Sequence, residues 1–198
     1  MTIIEFFGMP RTGKTSQISA LRGYFEKNDI SFLICGRPRI RFKDTGSLEE
    51  FHNLIYAHLL NHFGIYSRKK PDFLVYDRGF YDRLFLLRMD YEDRRVSKQF
   101  MRTLVKNLTA CLPLVDIPLM LLIEAKDSIE RLQSQREEGL DYSLFNEGLD
   151  FRENTLEGLD EYHKGYKSLS AEFEKIRVID SGESKEKVFT KIRKNLEI

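Results

Sequence analysis

Tryptophan is absent from this chain of 198 residues, and cysteine occurs only twice. Cys35 and Cys111 form no CxxC pair, which excludes a disulfide scaffold and a cysteine-rich zinc module. Both are read as reduced, buried thiols, the common state of free cysteine. No apolar run reaches about eighteen residues, so no membrane span is expected. The formal net charge is only +1, which removes the case for broad electrostatic capture of nucleic acid. The N-terminus carries no basic stretch followed by an apolar signal core, so a cytoplasmic location is the expectation. Internal repeats, low-complexity tracts and Pro/Ser-rich linkers are also missing, and a single domain over 1–198 is expected.

What is present is an alternation of short apolar runs and amphipathic stretches. Strand candidates are residues 2–7 (TIIEFF), 30–35, 72–77, 118–123 and 176–180. Most are nearly continuous apolar runs, as parallel strands covered on both faces require. Helical spacing marks residues 14–27, 47–63, 94–111, 126–138, about 150–174 and about 184–196. Ser47 and Glu50 have the spacing of a capping box. This order predicts a three-layer α/β fold built on a doubly wound, five-stranded parallel sheet. Ligands in such sheets bind beyond the carboxyl ends of the strands. Gly8, Gly36, Asp77 and Glu124 all fall at or just past such an end.

The first of these ends carries GMPRTGKTS, residues 8–16, with the spacing G-x-x-x-x-G-K-T. Glycines let backbone N–H groups turn toward phosphate oxygens, and the following helix adds its positive end. Lys14 places a charge on the β- and γ-phosphates, and Thr15 offers a hydroxyl to Mg²⁺. A strand before the loop and an amphipathic helix after it are the context the motif requires. A P-loop NTPase domain binding ATP or GTP with Mg²⁺ is the expectation.

The stretch FLVYDRGFYDRLFLL, residues 73–87, brings the next candidates. Asp77 sits beside the phosphate loop if the first and third strands are neighbours. A carboxylate there accepts a proton from an attacking hydroxyl or organises Mg²⁺. Arg78 is suited to clamping a phosphate or carboxylate on the acceptor. Tyr81 and Arg83 are further candidates for acceptor contact, and Asp82 with Arg83 repeats the acid–base pair. The alternative for that pair is a solvated first helical turn, where acids are favoured. In ERLQSQREEGLDY, residues 130–142, Arg131 and Arg136 read as lid arginines over a triphosphate, within a lid segment at about 126–148. They lie roughly 140° apart on a straight helix, so both reach one nucleotide only if the helix ends early. An ordinary salt-laced surface helix is the other reading. Arg37, Arg39 and Arg41 form an alternating cationic row after the second strand, suited to an anionic acceptor. His58 and His62 are spaced i,i+4, but no third ligand lies near them in sequence, so no metal site is expected there.

The order of these features resembles the thymidylate kinase and deoxynucleoside kinase group of P-loop kinases. DRGFYDRLFLL is similar to the deoxynucleoside kinases' ERS-type motif and its downstream DR, with one residue fewer between them. RVIDSGES, residues 177–184, is similar to the thymidylate kinase segment that lies against adenine. The resemblance implies that Gly8, Met9, Pro10, Arg11, Thr12, Gly13, Lys14, Thr15 and Ser16 cradle the phosphates of ATP. It implies that Asp77 is base or magnesium organiser, with Thr15 as its partner at the metal. It also implies that Arg78 holds the acceptor, that Arg131 and Arg136 form the lid, and that Ser181 and Gly182 border the adenine. The chain departs from the group after the second strand, where GRPRIRF replaces the acidic-Pro-Gly-Gly segment of thymidylate kinases. It also carries Asp77 where deoxynucleoside kinases carry Glu.

The expected activity is ATP- and Mg²⁺-dependent phosphoryl transfer to a nucleoside or nucleoside monophosphate. The partner is then a small-molecule acceptor, with no membrane or nucleic acid, and a homodimer stays open. The alternatives are a nucleotide-driven switch and a kinase of a non-nucleotide or nucleic-acid-end acceptor. Against the switch, no water-positioning Gln is evident after the third strand and the lid arginines are supplied in cis. Against the nucleic-acid end stands the near-neutral charge.

Overall fold

A computed structural model of the chain describes residues 1–36, 40, 42–137 and 151–198, without the side chains of Lys43, Arg136, Phe151 and Arg152. Five strands, β1 (Thr2–Gly8), β2 (Phe32–Cys35), β3 (Phe73–Asp77), β4 (Ile117–Leu122) and β5 (Arg177–Asp180), form one sheet in the order β2-β3-β1-β4-β5. Every pairing is parallel. The helices are α1 (Lys14–Lys27), α2 (Leu48–Ser67), α3 (Phe80–Glu92), α4 (Lys98–Cys111), α5 (Ala125–Glu137), α6 (Leu156–Glu172) and α7 (Lys185–Leu196). No helix among the described residues is long and apolar enough to cross a membrane.

The pleat decides what each strand residue packs against. Ile4, Phe6, Val75, Leu119, Leu121 and Ile179 meet Ile18, Leu21 and Phe25 of α1 and Val188 and Ile192 of α7. Their neighbours Ile3, Phe7, Leu74, Tyr76 and Met120 face α2, α3, α4 and α6 on the opposite side. By the same alternation Asp77 shares the α1 face with Val75, and Glu5 shares the α3 face with Ile3 and Phe7.

Most helix boundaries follow their caps. Ser47 accepts the N–H of Glu50 at 3.1 Å, while the Glu50 carboxylate accepts the N–H of Gly46 rather than that of Ser47. The helix expected from residue 94 starts at Lys98, because Ser97 is its N-cap. The one expected from about 150 starts at Leu156 behind Thr155. α5 begins at Ala125, one residue before the expected start at 126. β2 is shorter than expected because Ser31 pairs with Asp72, donating both its N–H and its hydroxyl to Oδ2. Helix α3 does not appear among the helices expected from spacing. Its side chains are buried nearly all the way round, so no polar face reveals the period.

Candidate active site

β1 ends at Gly8, paired with Leu121 of β4. A side chain at Gly8 would place its Cβ 2.2 Å from the carbonyl oxygen of Leu121, and the residue has φ +117°, so glycine is required. Arg11 and Gly13, at φ 61° and 80°, then turn the chain into a loop. Thr12 closes it by donating its hydroxyl to the carbonyl of Met9 at 2.9 Å. Lys14 opens α1 and curls back over the loop. Its ammonium donates to the carbonyl of Gly8 at 2.9 Å, to Thr12 Oγ1 at 3.0 Å, and to the carbonyl of Met9.

The helix starts differ in how they are capped. At α2, α4, α6 and α7, a Ser or Thr side chain accepts a first-turn N–H. At α1 the N-cap is Gly13 and no side chain caps the helix. Its first-turn donors and positive end point into the loop, an arrangement suited to phosphate. Thr15 and Ser16 are exposed on that turn.

Helix α3 is capped from a distance by a residue the sequence reading passed over. Glu5, at the middle of β1, is fully buried. Its Oε1 accepts the N–H groups of Gly79 and Asp82, both at 3.0 Å, and its Oε2 accepts that of Tyr81 at 3.2 Å. Burial raises its carboxyl to about 7, although these N–H bonds pull the other way. The only sequence signal is a lone acid inside an apolar run.

This cap fixes a buried polar cluster on the first turns of α3. Arg78, in a left-handed conformation at φ 66°, donates to Asp82 at 3.2 Å. Tyr166 of α6 donates its hydroxyl to Asp82 Oδ1 at 2.8 Å. Burial opposes the charge of Asp82, but Arg78, Lys14 and Arg83 together hold its carboxyl below the ordinary value. Asp82 is 1% exposed and Arg83 is 9% exposed, so the reading of this pair as a solvated first turn is replaced by a desolvated ion cluster. Arg83 lies 5.6 Å over the ring of Phe51 and faces His52 Nδ1 at 3.4 Å. His52 Nε2 meets Asp90 Oδ2 at 2.8 Å, and Arg95 donates to the other oxygen of Asp90 at 2.9 Å. Burial keeps the His52 pKa below the usual value, so the neutral ring donates from Nε2 and accepts at Nδ1.

Asp77 is half-buried at the end of β3, paired in register with Phe6 of the strand that feeds the loop. Tyr81 is not at the surface of the site: its ring is 2% exposed and stacks on Phe7 at 5.6 Å within the core. Arg131 reaches the loop, donating to the carbonyl of Arg11 at 3.0 Å and to that of Ser181 at 2.8 Å. Ser181 is buried and donates its hydroxyl to the carbonyl of Leu122 at 2.7 Å. Gly182 follows in the β5–α7 turn, its N–H bonded to Asp180 at 2.8 Å. Arg37, Arg39 and Arg41, the side chain of Arg136 and the lid segment beyond residue 137 lie outside the described residues.

Both cysteines are free and buried, and burial raises the Cys35 thiol to about 12 with a further push from Asp77. The expectation that His58 and His62 lack a third ligand does not hold. The fold brings Cys35 beside them, with Sγ 2.6 Å from His62 Nδ1.

A five-stranded parallel sheet in this order, with a phosphate loop between β1 and α1, defines an α/β P-loop fold. Among solved structures, the chain is similar to a deoxyadenosine kinase from M. mycoides with bound dATP, at 16% identity and a TM-score of 0.63, over 100% of both chains. It is also similar to that kinase with bound dCTP, at 14% identity and a TM-score of 0.58, over 99% of each chain. A further structure of it, with dCMP and a flexible dCDP as products, aligns at 14% identity and a TM-score of 0.59. The likeness establishes the fold alone, which the chain shares with these structures. No protein-family model and no curated protein sequence matches the chain.

Proposed function

We propose that the protein is an ATP-dependent nucleoside kinase, with a deoxynucleoside as the leading acceptor and a nucleoside monophosphate as the alternative. The observation that carries this reading is the phosphate loop joined to a desolvated cationic cluster. Lys14 and the uncapped start of α1 lie on one side, and Arg78 and Arg83 lie on the other around Asp82. A nucleotide-driven switch has no need of a second cationic site buried beside its phosphate loop. The neighbouring folds, which hold deoxynucleotides, support the deoxynucleoside class.

Lys14 and the loop from Gly8 to Ser16, through the N–H groups at the start of α1, hold the donor phosphates. Thr15 and Asp77 fit a Mg²⁺ ion by chemistry and place: the hydroxyl lies on the first turn of α1, and the carboxylate lies on the sheet face that α1 covers. Bound Mg²⁺ neutralises charge on the triphosphate. Arg78 and Arg83 orient the acceptor, Arg131 and Arg136 close over the donor, and Ser181 and Gly182 border the base of ATP. Asp77 takes the acceptor's hydroxyl proton or organises the metal. Catalysis is then positioning together with charge neutralisation.

The test is coupled ADP release with ATP·Mg²⁺ against deoxynucleosides, ribonucleosides, their monophosphates and short 5′-hydroxyl oligonucleotides. Deoxynucleosides are expected to stimulate turnover, and Lys14→Ala to abolish it. Slow ADP release that no acceptor stimulates would overturn the reading in favour of a regulatory NTPase. Asp77→Asn separates the two roles of that carboxylate. Loss of transfer with unchanged dependence on Mg²⁺ concentration marks a base, and a raised Mg²⁺ requirement marks a metal organiser.

A further inference from the structure

Cys35 ends β2, and His58 and His62 stand one turn apart on the face of α2 that covers it. One ligand atom from each residue lies within 4.8 Å of the other two. Nothing in the phosphoryl-transfer chemistry uses this group. The His58 and His62 rings approach to 3.9 Å between centroids, and Nε2 of His58 is buried with no hydrogen-bond partner. A buried, unsatisfied imidazole nitrogen beside a thiol and a second imidazole is a costly arrangement without a ligand.

We propose that Cys35, His58 and His62 form a transition-metal site, with Zn²⁺ as the ion it takes. One thiolate and two imidazoles are soft and borderline donors, which select Zn²⁺ over Mg²⁺ or Ca²⁺. Three protein ligands leave the fourth tetrahedral position to water. Ligand atoms on one tetrahedral Zn²⁺ stand about 3.5 Å apart, given Zn–S and Zn–N lengths of about 2.3 and 2.0 Å. The Cys35–His62 pair, in contact at 2.6 Å, therefore opens by about 1 Å on loading. Coordination transfers the thiol proton to solvent and forms the Zn–S bond. The metal fastens the end of β2 to α2.

The test is titration of chelator-treated full-length protein with Co²⁺, followed by absorption. The expected result is one equivalent bound per chain, with a thiolate-to-cobalt charge-transfer band and the strong visible bands of a four-coordinate ion. One equivalent of Zn²⁺ should bleach both. Cys35→Ser removes the charge-transfer band, and Cys111→Ser leaves it unchanged. His58→Gln spares the core thiol and keeps the fold testable. It should weaken Co²⁺ binding at least about tenfold, a loss that even outer-shell changes bring. Absence of the charge-transfer band in folded wild-type protein would overturn the proposal, as would its persistence in Cys35→Ser. An unchanged titration in His58→Gln would overturn the three-ligand site.

Discussion

Glu5 shows how one residue can set a site from inside the sheet. Its carboxylate takes the place of a local cap for α3, and Gly79 makes room for it. A Cβ at position 79 would stand 2.8 Å from Glu5 Cδ and Oε2. Gly79→Ala therefore displaces the carboxylate from its N–H donors, and a loss of about 1–3 kcal/mol is expected in urea unfolding. The ionisation of Glu5 has a signature of its own. The folded chain keeps the Glu5 proton up to about pH 7, whereas the unfolded chain releases it near the ordinary glutamate value of 4.5. Between those values the folded state binds more protons, so stability falls as pH rises. The contribution is full below about pH 4.5 and is lost through pH 7. Stability of wild type relative to Glu5→Gln should thus be greater at pH 5 than at pH 8. A difference independent of pH would show that Glu5 does not titrate in this window.

At the scale of elements, α5 is the piece that ties donor-side loops together. Ser128 donates to the carbonyl of Pro10 at 3.2 Å, and Arg131 bridges Arg11 and Ser181. The loop replies through Arg11, which donates to Asn154 Oδ1 at 2.9 Å and to the carbonyl of Glu153. Segments on both sides of residues 138–150 are thus bonded to the phosphate loop. Arg131→Ala removes two charge-assisted bonds to partly buried carbonyls. It should raise KM for ATP and lower stability by about 1–3 kcal/mol, read by steady-state kinetics and thermal melts. Arg131→Lys can restore charge but not the two-armed reach, so it should recover only part of the KM loss.

For the molecule as a whole, stability and the phosphate loop draw on one packed sheet. Phe25 of α1 is fully buried, stacks on Phe73 at 4.8 Å and lies 5.3 Å from Phe32. Phe25→Ala should cost about 3–5 kcal/mol and loosen α1, whose other end holds Lys14. ATP·Mg²⁺ should raise the melting temperature of the wild type. Binding to the folded state alone adds about 2.7 kcal/mol at one hundred times Kd. The shift should disappear in Lys14→Ala, and a shift that survives would place the nucleotide elsewhere.

The sequence by itself determined the glycine-rich turn after β1, the succession of strands, every helix but α3, and the fold class. Each rests on local spacing: a turn followed by a helix start, apolar runs of strand length, and a 3.6-residue period. It also made Arg78, Asp77 and Arg131 candidates, because strand ends and helix positions can be read along the chain. Only the tertiary structure decided which charges are buried and what they meet. Glu5 caps a helix whose N-cap, Gly79, lies 74 residues later, Tyr166 reaches Asp82 from 84 residues away, and Cys35 joins two histidines across a long connection. Tyr81 shows the reverse case. A residue placed by motif beside the site turns its ring into the core. Burial and long-range pairing depend on how α/β layers close on the sheet, and no local period encodes them.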